Sequence, residues 1–165
     1  MTEVSIAGSP ALAGRIGEEV ASYHLRSLGF IVARPWRVLR VLERAGVPDN
    51  YEVEFLRRYQ QTMDYFAIKP RDDPLLQPRE AMCEIFRGGG LDRYMSVHAS
   101  SEASRGYVTE VKTWVTGGNQ GSRASKRQQR MFREAEKLGF GAMLVLVALR
   151  SGLTAQVEVR VLSAP

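Results

Sequence analysis

Residues 125–149 read SKRQQRMFREAEKLGFGAMLVLVAL, and the change of period inside them decides the fold. Gln128, Met131, Phe132, Ala135 and Leu138 recur at the i, i+3/i+4 spacing of one helix face. Ser125, or Ser122 before it, offers an N-cap, and Gly139 a stop. Ala142 to Leu149 is then continuously apolar yet too short to span a membrane, so it is predicted to be a strand buried on both faces. Such a strand implies a sheet with helices on its faces.

Working outward, Tyr107 to Val115 (YVTEVKTWV) is β-branched and aromatic, a strand closed off by Gly117-Gly118-Asn119. Ala155 to Leu162 alternates Val157, Val159 and Val161 with Gln156, Glu158 and Arg160, the pattern of a half-buried edge strand. Near the start, Ser9-Pro10 opens and Gly29 closes an amphipathic helix with Ala13, Ile16, Gly17, Val20, Ala21, His24 and Leu28 on one face. Phe30 to Ala33 follows as a short strand, and Thr62 to Lys69 (TMDYFAIK) reads as another, ended by Pro70. Two stretches break the pattern. Arg37 to Gln61 reads as irregular with one or two short helices, chiefly Tyr51 to Gln61. Arg71 to Arg105 is rich in Pro, Gly, Asp and Ser, with a short helix near Arg79 to Phe86. The expectation is an α/β fold, a mixed central β-sheet flanked by helices. It forms one domain over residues 1–165 with helical or irregular insertions at about 37–61 and 71–105.

Composition narrows the setting. With 44% hydrophobic and 25% charged residues the chain has the makings of a packed core, which excludes a wholly disordered or fibrous protein. Lys plus Arg number 23 against 18 Asp plus Glu, and Lys occurs only at Lys69, Lys112, Lys126 and Lys137. An Arg excess suits phosphate recognition, and equally suits codon bias or a high growth temperature. The single Cys83 makes no internal disulfide, and no Cys/His cluster has zinc spacing. MTEVSIAGSP lacks the basic and apolar regions of a secretion signal, so the expectation is a cytoplasmic protein with no membrane partner.

The chemistry-bearing residues cluster in few places. Glu110 and Lys112 alternate in mid-strand, so both project from one face about 7 Å apart; alone, this is also the pattern of an ordinary strand ion pair. Asp64 is a lone carboxylate in an apolar strand. If the two strands are neighbours, Asp64 and Glu110 meet, and oxygen ligands without Cys or His favour Mg²⁺ or Mn²⁺. Gln128 continues the apolar stripe of its helix and should point at the sheet, although Ser125-Lys-Arg-Gln128 is also a capping-box pattern. Glu18 and Glu19 flank the apolar face of the first helix, and periodicity does not choose between them. Arg123, Lys126, Arg127, Arg130, Arg133 and Lys137 crowd the second helix and its entry, a cluster suited to phosphate contacts or to a solvated helix face. Arg37, Arg40 and Arg44 form a weaker basic group.

These pieces, in order, are GRIGEEVASYHLRSLGFIV, MDYFAI, YVTEVKTW and SKRQQRMFREAEKLGFGAMLVLV. Together they resemble the PD-(D/E)xK, or restriction-endonuclease-like, nucleases, especially the branch with archaeal Holliday junction resolvases. The resemblance implies a restriction-endonuclease-like core and metal-dependent hydrolysis of DNA phosphodiester bonds, leaving a 5′-phosphate and a 3′-hydroxyl. It assigns Mg²⁺ (or Mn²⁺) to Asp64, Glu110 and the Val111 carbonyl, and a catalytic set of Glu18, Asp64, Glu110, Lys112 and Gln128, with Glu18 preferred to Glu19. It further implies DNA contacts by Arg123, Lys126, Arg127, Arg130 and Arg133, a branched or nicked DNA partner, and a homodimer where two strands are cut. Met63 stands where the family usually has Pro, and the segment between Asp64 and Glu110 is longer than the usual link. Two other readings stay open: a non-catalytic DNA-binding protein on the same fold, and a protein-interaction subunit recognised through Leu76 to Arg93.

Overall fold

A computed structural model of the chain describes residues 9–87, 103–116, 124–150 and 154–165. Helix α1 (Pro10–Ser27) leads through Gly29, at φ +85°, into strand β1 (Ile31–Ala33). The Ser9 hydroxyl accepts the Leu12 N–H at 3.3 Å and caps α1. Helices α2 (Pro35–Arg44) and α3 (Tyr51–Tyr59) follow, then β2 (Tyr65–Lys69), α4 (Pro78–Arg87) and β3 (Arg105–Val115). Helix α5 (Lys126–Lys137), β4 (Gly141–Arg150) and β5 (Thr154–Ser163) complete the fold.

The strands form one mixed sheet in the order β1-β2-β3-β4-β5, so the architecture is α/β with helices flanking a five-stranded sheet. Only β3 and β4 run parallel, joined by the crossover containing α5; the other neighbours are antiparallel. Alternation along the strands separates two cores. Val32, Tyr65, Ala67, Val111 and the odd-numbered residues Met143 to Leu149 pack against α1. Phe66, Ile68, Val108 and Ala142 pack against α2, α3, α4 and α5, where Phe66, Phe86 and Phe140 meet with centroids 5.3–5.6 Å apart. No helix of the described residues is long and apolar enough to cross a membrane.

The stretch 37–61, expected to be irregular with one or two short helices, holds α3 where a helix was expected and the greater part of α2, so it is more helical than expected. Val38 and Leu42 of α2, and Val53, Phe55, Leu56 and Tyr59 of α3, are buried in the second core. The start of α2 carries only Pro35 as a signal, since its N-cap Arg34 makes no side-chain capping bond, and many charged residues mask the i, i+4 pair. The strand expected from Thr62 begins at Tyr65, after a turn. Asp64 thus sits just before β2, although its N–H still donates to the Thr109 carbonyl at 3.1 Å. On β5, Val157 and Val159 are half-buried beside the α1 core, while Val161 is 57% exposed beyond an irregularity at Ala142/Met143. Glu52 of α3 is fully buried with neither carboxylate oxygen hydrogen-bonded, and nothing among the described residues explains it.

Gly17 sets how closely α1 approaches the sheet. A Cβ there would lie 1.8 Å from Thr113 Oγ1 and 2.5 Å from its Cγ2, so only glycine permits this contact. Gly14, one turn earlier, has no heavy atom within 4 Å of a Cβ position. The two glycines should therefore respond to alanine with opposite signs. Gly14→Ala should stabilise by up to ~1 kcal/mol through helix propensity. Gly17→Ala should destabilise by ~1–3 kcal/mol through overpacking, and equal shifts in urea unfolding would contradict the close approach.

Candidate active site

Pairing of Tyr65 with Thr109 brings Asp64, one residue earlier, level with Glu110. Asp64 Oδ2 accepts the Val111 N–H at 2.7 Å, which ties the start of β2 to the middle of β3. Even-numbered residues of β3 face the side of α5, so Glu110 and Lys112 share that face. Glu110 is 5% exposed. Its Oε1 accepts from Lys112 Nζ at 3.0 Å and, in a short contact, from Gln128 Nε2. Its Oε2 is buried and has no hydrogen-bond partner.

Gln128 fulfils both of its sequence readings at once. Ser125 Oγ accepts the Gln128 N–H at 3.2 Å, and Gln128 Oε1 accepts the Ser125 N–H at 2.8 Å, a complete capping box. The same Oε1 accepts from Lys112 Nζ at 3.1 Å. The cap thus holds the amide in one orientation against the Glu110–Lys112 pair.

Glu18 arrives from α1, the opposite layer. Its Oε2 pairs with Arg34 Nη2 at 2.5 Å, while Glu19 is exposed. Arg34 is the site residue that the sequence did not announce. Besides holding Glu18, it donates to the Asp64 carbonyl at 3.3 Å and lies 4.4 Å from the Tyr65 ring centroid. The Tyr65 hydroxyl in turn donates to the Glu18 carbonyl at 3.1 Å. These contacts span 16 to 47 positions of sequence, so no local pattern marks Arg34.

Burial dominates the electrostatics. Desolvation, with a further push from Glu18, raises the Asp64 carboxyl to about 6 against the pull of the Val111 N–H, Arg34 and Lys112. Desolvation and the Asp64 charge raise Glu110 to about 7 despite Lys112. A half-buried and a buried carboxylate at neighbouring register positions are thus held in a state that invites a proton or another cation. Among the described residues no group of three or more His, Cys, Asp and Glu is arranged to hold a metal ion. The expected donor set of two carboxylates and the Val111 carbonyl is of a different kind. Asp64 and Glu110 are adjacent, and the Val111 side chain is buried in the α1 core.

Of the basic residues, Lys126, Arg127, Arg130 and Arg133 are exposed on α5, whereas Arg123 lies outside the described residues. Arg130 is not free: its Nε pairs with Glu134 at 3.0 Å, and Arg58 reaches the same carboxylate at 3.3 Å. A cavity of about 780 Å³ lined by Arg71, Leu76, Arg79, Cys83 and Arg87 contains none of the clustered carboxylates. The chain matches no family model, and no curated protein matches it.

The raised carboxyls fix a sign for stability. Folding favours the protonated forms, so ionisation weakens the fold as pH rises from the ordinary carboxylate range through about 6–7. Glu110→Gln removes that penalty while retaining an oxygen for Lys112. Its melting temperature, measured without divalent ions, should rise relative to the native protein between pH 5 and pH 8, and a constant difference would refute the buried charge.

Proposed function

We propose that the protein is a metal-dependent DNA endonuclease with a restriction-endonuclease-like core. The observation that carries this reading is the meeting of Asp64, Glu110 and Lys112 at one point, with Glu110 Oε2 buried and unpartnered. A buried carboxylate oxygen left without a hydrogen-bond partner is unfavourable by about 1–3 kcal/mol, and a second cation beside Lys112 would relieve it. All-oxygen donors suit a hard divalent ion, so Asp64 and Glu110 would hold Mg²⁺ or Mn²⁺, with the Val111 carbonyl beside them. Bound there, the ion supplies Lewis acidity for activating water and neutralising charge on the phosphate.

The chain's own groups account for the remaining work. Lys112, held by Glu110 and Gln128, keeps an ammonium where negative charge develops on a phosphate oxygen. Gln128 fixes that ammonium's direction through its cap-locked amide. Glu18 and Arg34 hold the edge of the site and the Asp64 backbone. Lys126, Arg127 and Arg133 supply exposed charge for backbone phosphates beside the reacting group.

The mutual hydrogen bonds of Glu110, Lys112 and Gln128 favour a second reading, a non-catalytic DNA-binding protein in which these residues are a structural network. Incubation of plasmid, branched and single-stranded DNA with Mg²⁺ or Mn²⁺ separates the two. Cleavage should appear in the native protein and fall at least ~100-fold in Asp64→Ala and in Lys112→Ala, the scale of losing one electrostatic stabiliser. Cleavage that survives both substitutions would eliminate this site, and binding without cleavage on every substrate would establish the second reading.

A further inference from the structure

Helix α2 carries a stripe that the active-site cluster does not use. At 100° per residue, Trp36, Arg40, Arg44 and Arg37 fall within about 100° of its circumference. Val38 and Leu42, turned away from them, are buried in the core. Trp36 is 51% exposed, and the Arg40 guanidinium lies 5.5 Å from its ring centroid. Arg37, Arg40 and Arg44 are exposed, and no side-chain hydrogen bond or ion pair among the described residues engages them. Glu43, at the margin of the stripe, is the one acid of this helix.

Helix α2 starts from a residue that touches the candidate active site. Arg34, the N-cap of α2, contacts Glu18 and the Asp64 carbonyl, and Trp36 is two residues further on. An exposed indole with Arg40 over one face and two further guanidinium groups free of acids beside it matches one ligand chemistry closely: a base to stack on the indole and successive phosphates for the arginines. Bases inside a duplex are already stacked and offer no free face. We infer that the Trp36, Arg37, Arg40 and Arg44 face of α2 is a platform for unpaired nucleotides that lead away from the Asp64–Glu110 site. The inference rests on the nuclease reading and deepens it, making the substrate DNA with a single-stranded arm.

The test compares binding of a fluorescent oligo(dT) strand, an abasic strand of equal length, a blunt duplex and polyglutamate. In the native protein oligo(dT) should bind more tightly than the abasic strand. Trp36→Ala should weaken oligo(dT) about tenfold while changing the abasic strand and duplex less than twofold, and Trp36→Phe should restore much of the loss. Arg40→Ala should weaken oligo(dT) and the abasic strand alike. Unchanged oligo(dT) affinity in Trp36→Ala, equal losses on all nucleic acids, or polyglutamate bound as tightly as oligo(dT) would each overturn the platform. Cleavage of a flapped duplex with Mg²⁺ by the native protein and Asp64→Ala is measured in parallel. Asp64-dependent cleavage with Trp36-independent binding refutes the platform alone, whereas Trp36-dependent binding without any cleavage refutes the nuclease reading and supports the platform.

Discussion

Glu110 puts a carboxylate inside the third strand of a five-stranded sheet, and the elements around it are arranged to make that charge tolerable. Lys112 supplies a cation two residues along the same strand face, and Gln128 supplies an amide from the crossover helix. Asp64, which would aggravate the problem, is braced by a main-chain N–H of the same strand. One Glu110 oxygen is satisfied twice and the other not at all. That asymmetry is the observation on which the proposed metal site rests, because a buried oxygen without a partner is unfavourable.

The layers on either side of the sheet contribute differently. Glycine at position 17 lets α1 come close to Thr113, and the neighbouring Glu18 accepts the Tyr65 hydroxyl at its carbonyl and pairs its side chain with Arg34. Arg34 then joins that helix to the entry of β2 and to α2, holding three segments with one planar cation. On the far layer, the capping box of α5 serves fold and site together: the bond that starts the helix also aims the amide at Lys112. Local folding and functional geometry therefore depend on the same few hydrogen bonds.

The Arg excess acquires a spatial meaning. Some of it is spent internally, in Arg34 with Glu18, Arg130 and Arg58 with Glu134, and Arg160 with Glu158. The unpaired remainder includes Arg127 and Arg133 on α5 and the three arginines of α2. Net charge states only a sum, whereas phosphate recognition depends on which cations lack an acid next to them.

The amino-acid sequence by itself determined the element types where the signal is local. Ser9-Pro10 and Gly29 bound α1, Ser125 and Gly139 bound α5, and the apolar run at 142–149 is the buried fourth strand. It also placed Glu110 and Lys112 on one strand face, since alternation is a property of consecutive residues. Helix α2 escaped because a capping side chain is missing at Arg34 and charges dilute its short apolar repeat. Only the tertiary structure decided that Arg34 joins Glu18 to Asp64, that Gln128 both caps and aims, and that Trp36 stays half exposed with Arg40 over its ring. Periodicity and caps act within a turn or two of chain, whereas these encounters depend on strand order, register and helix approach across tens of residues.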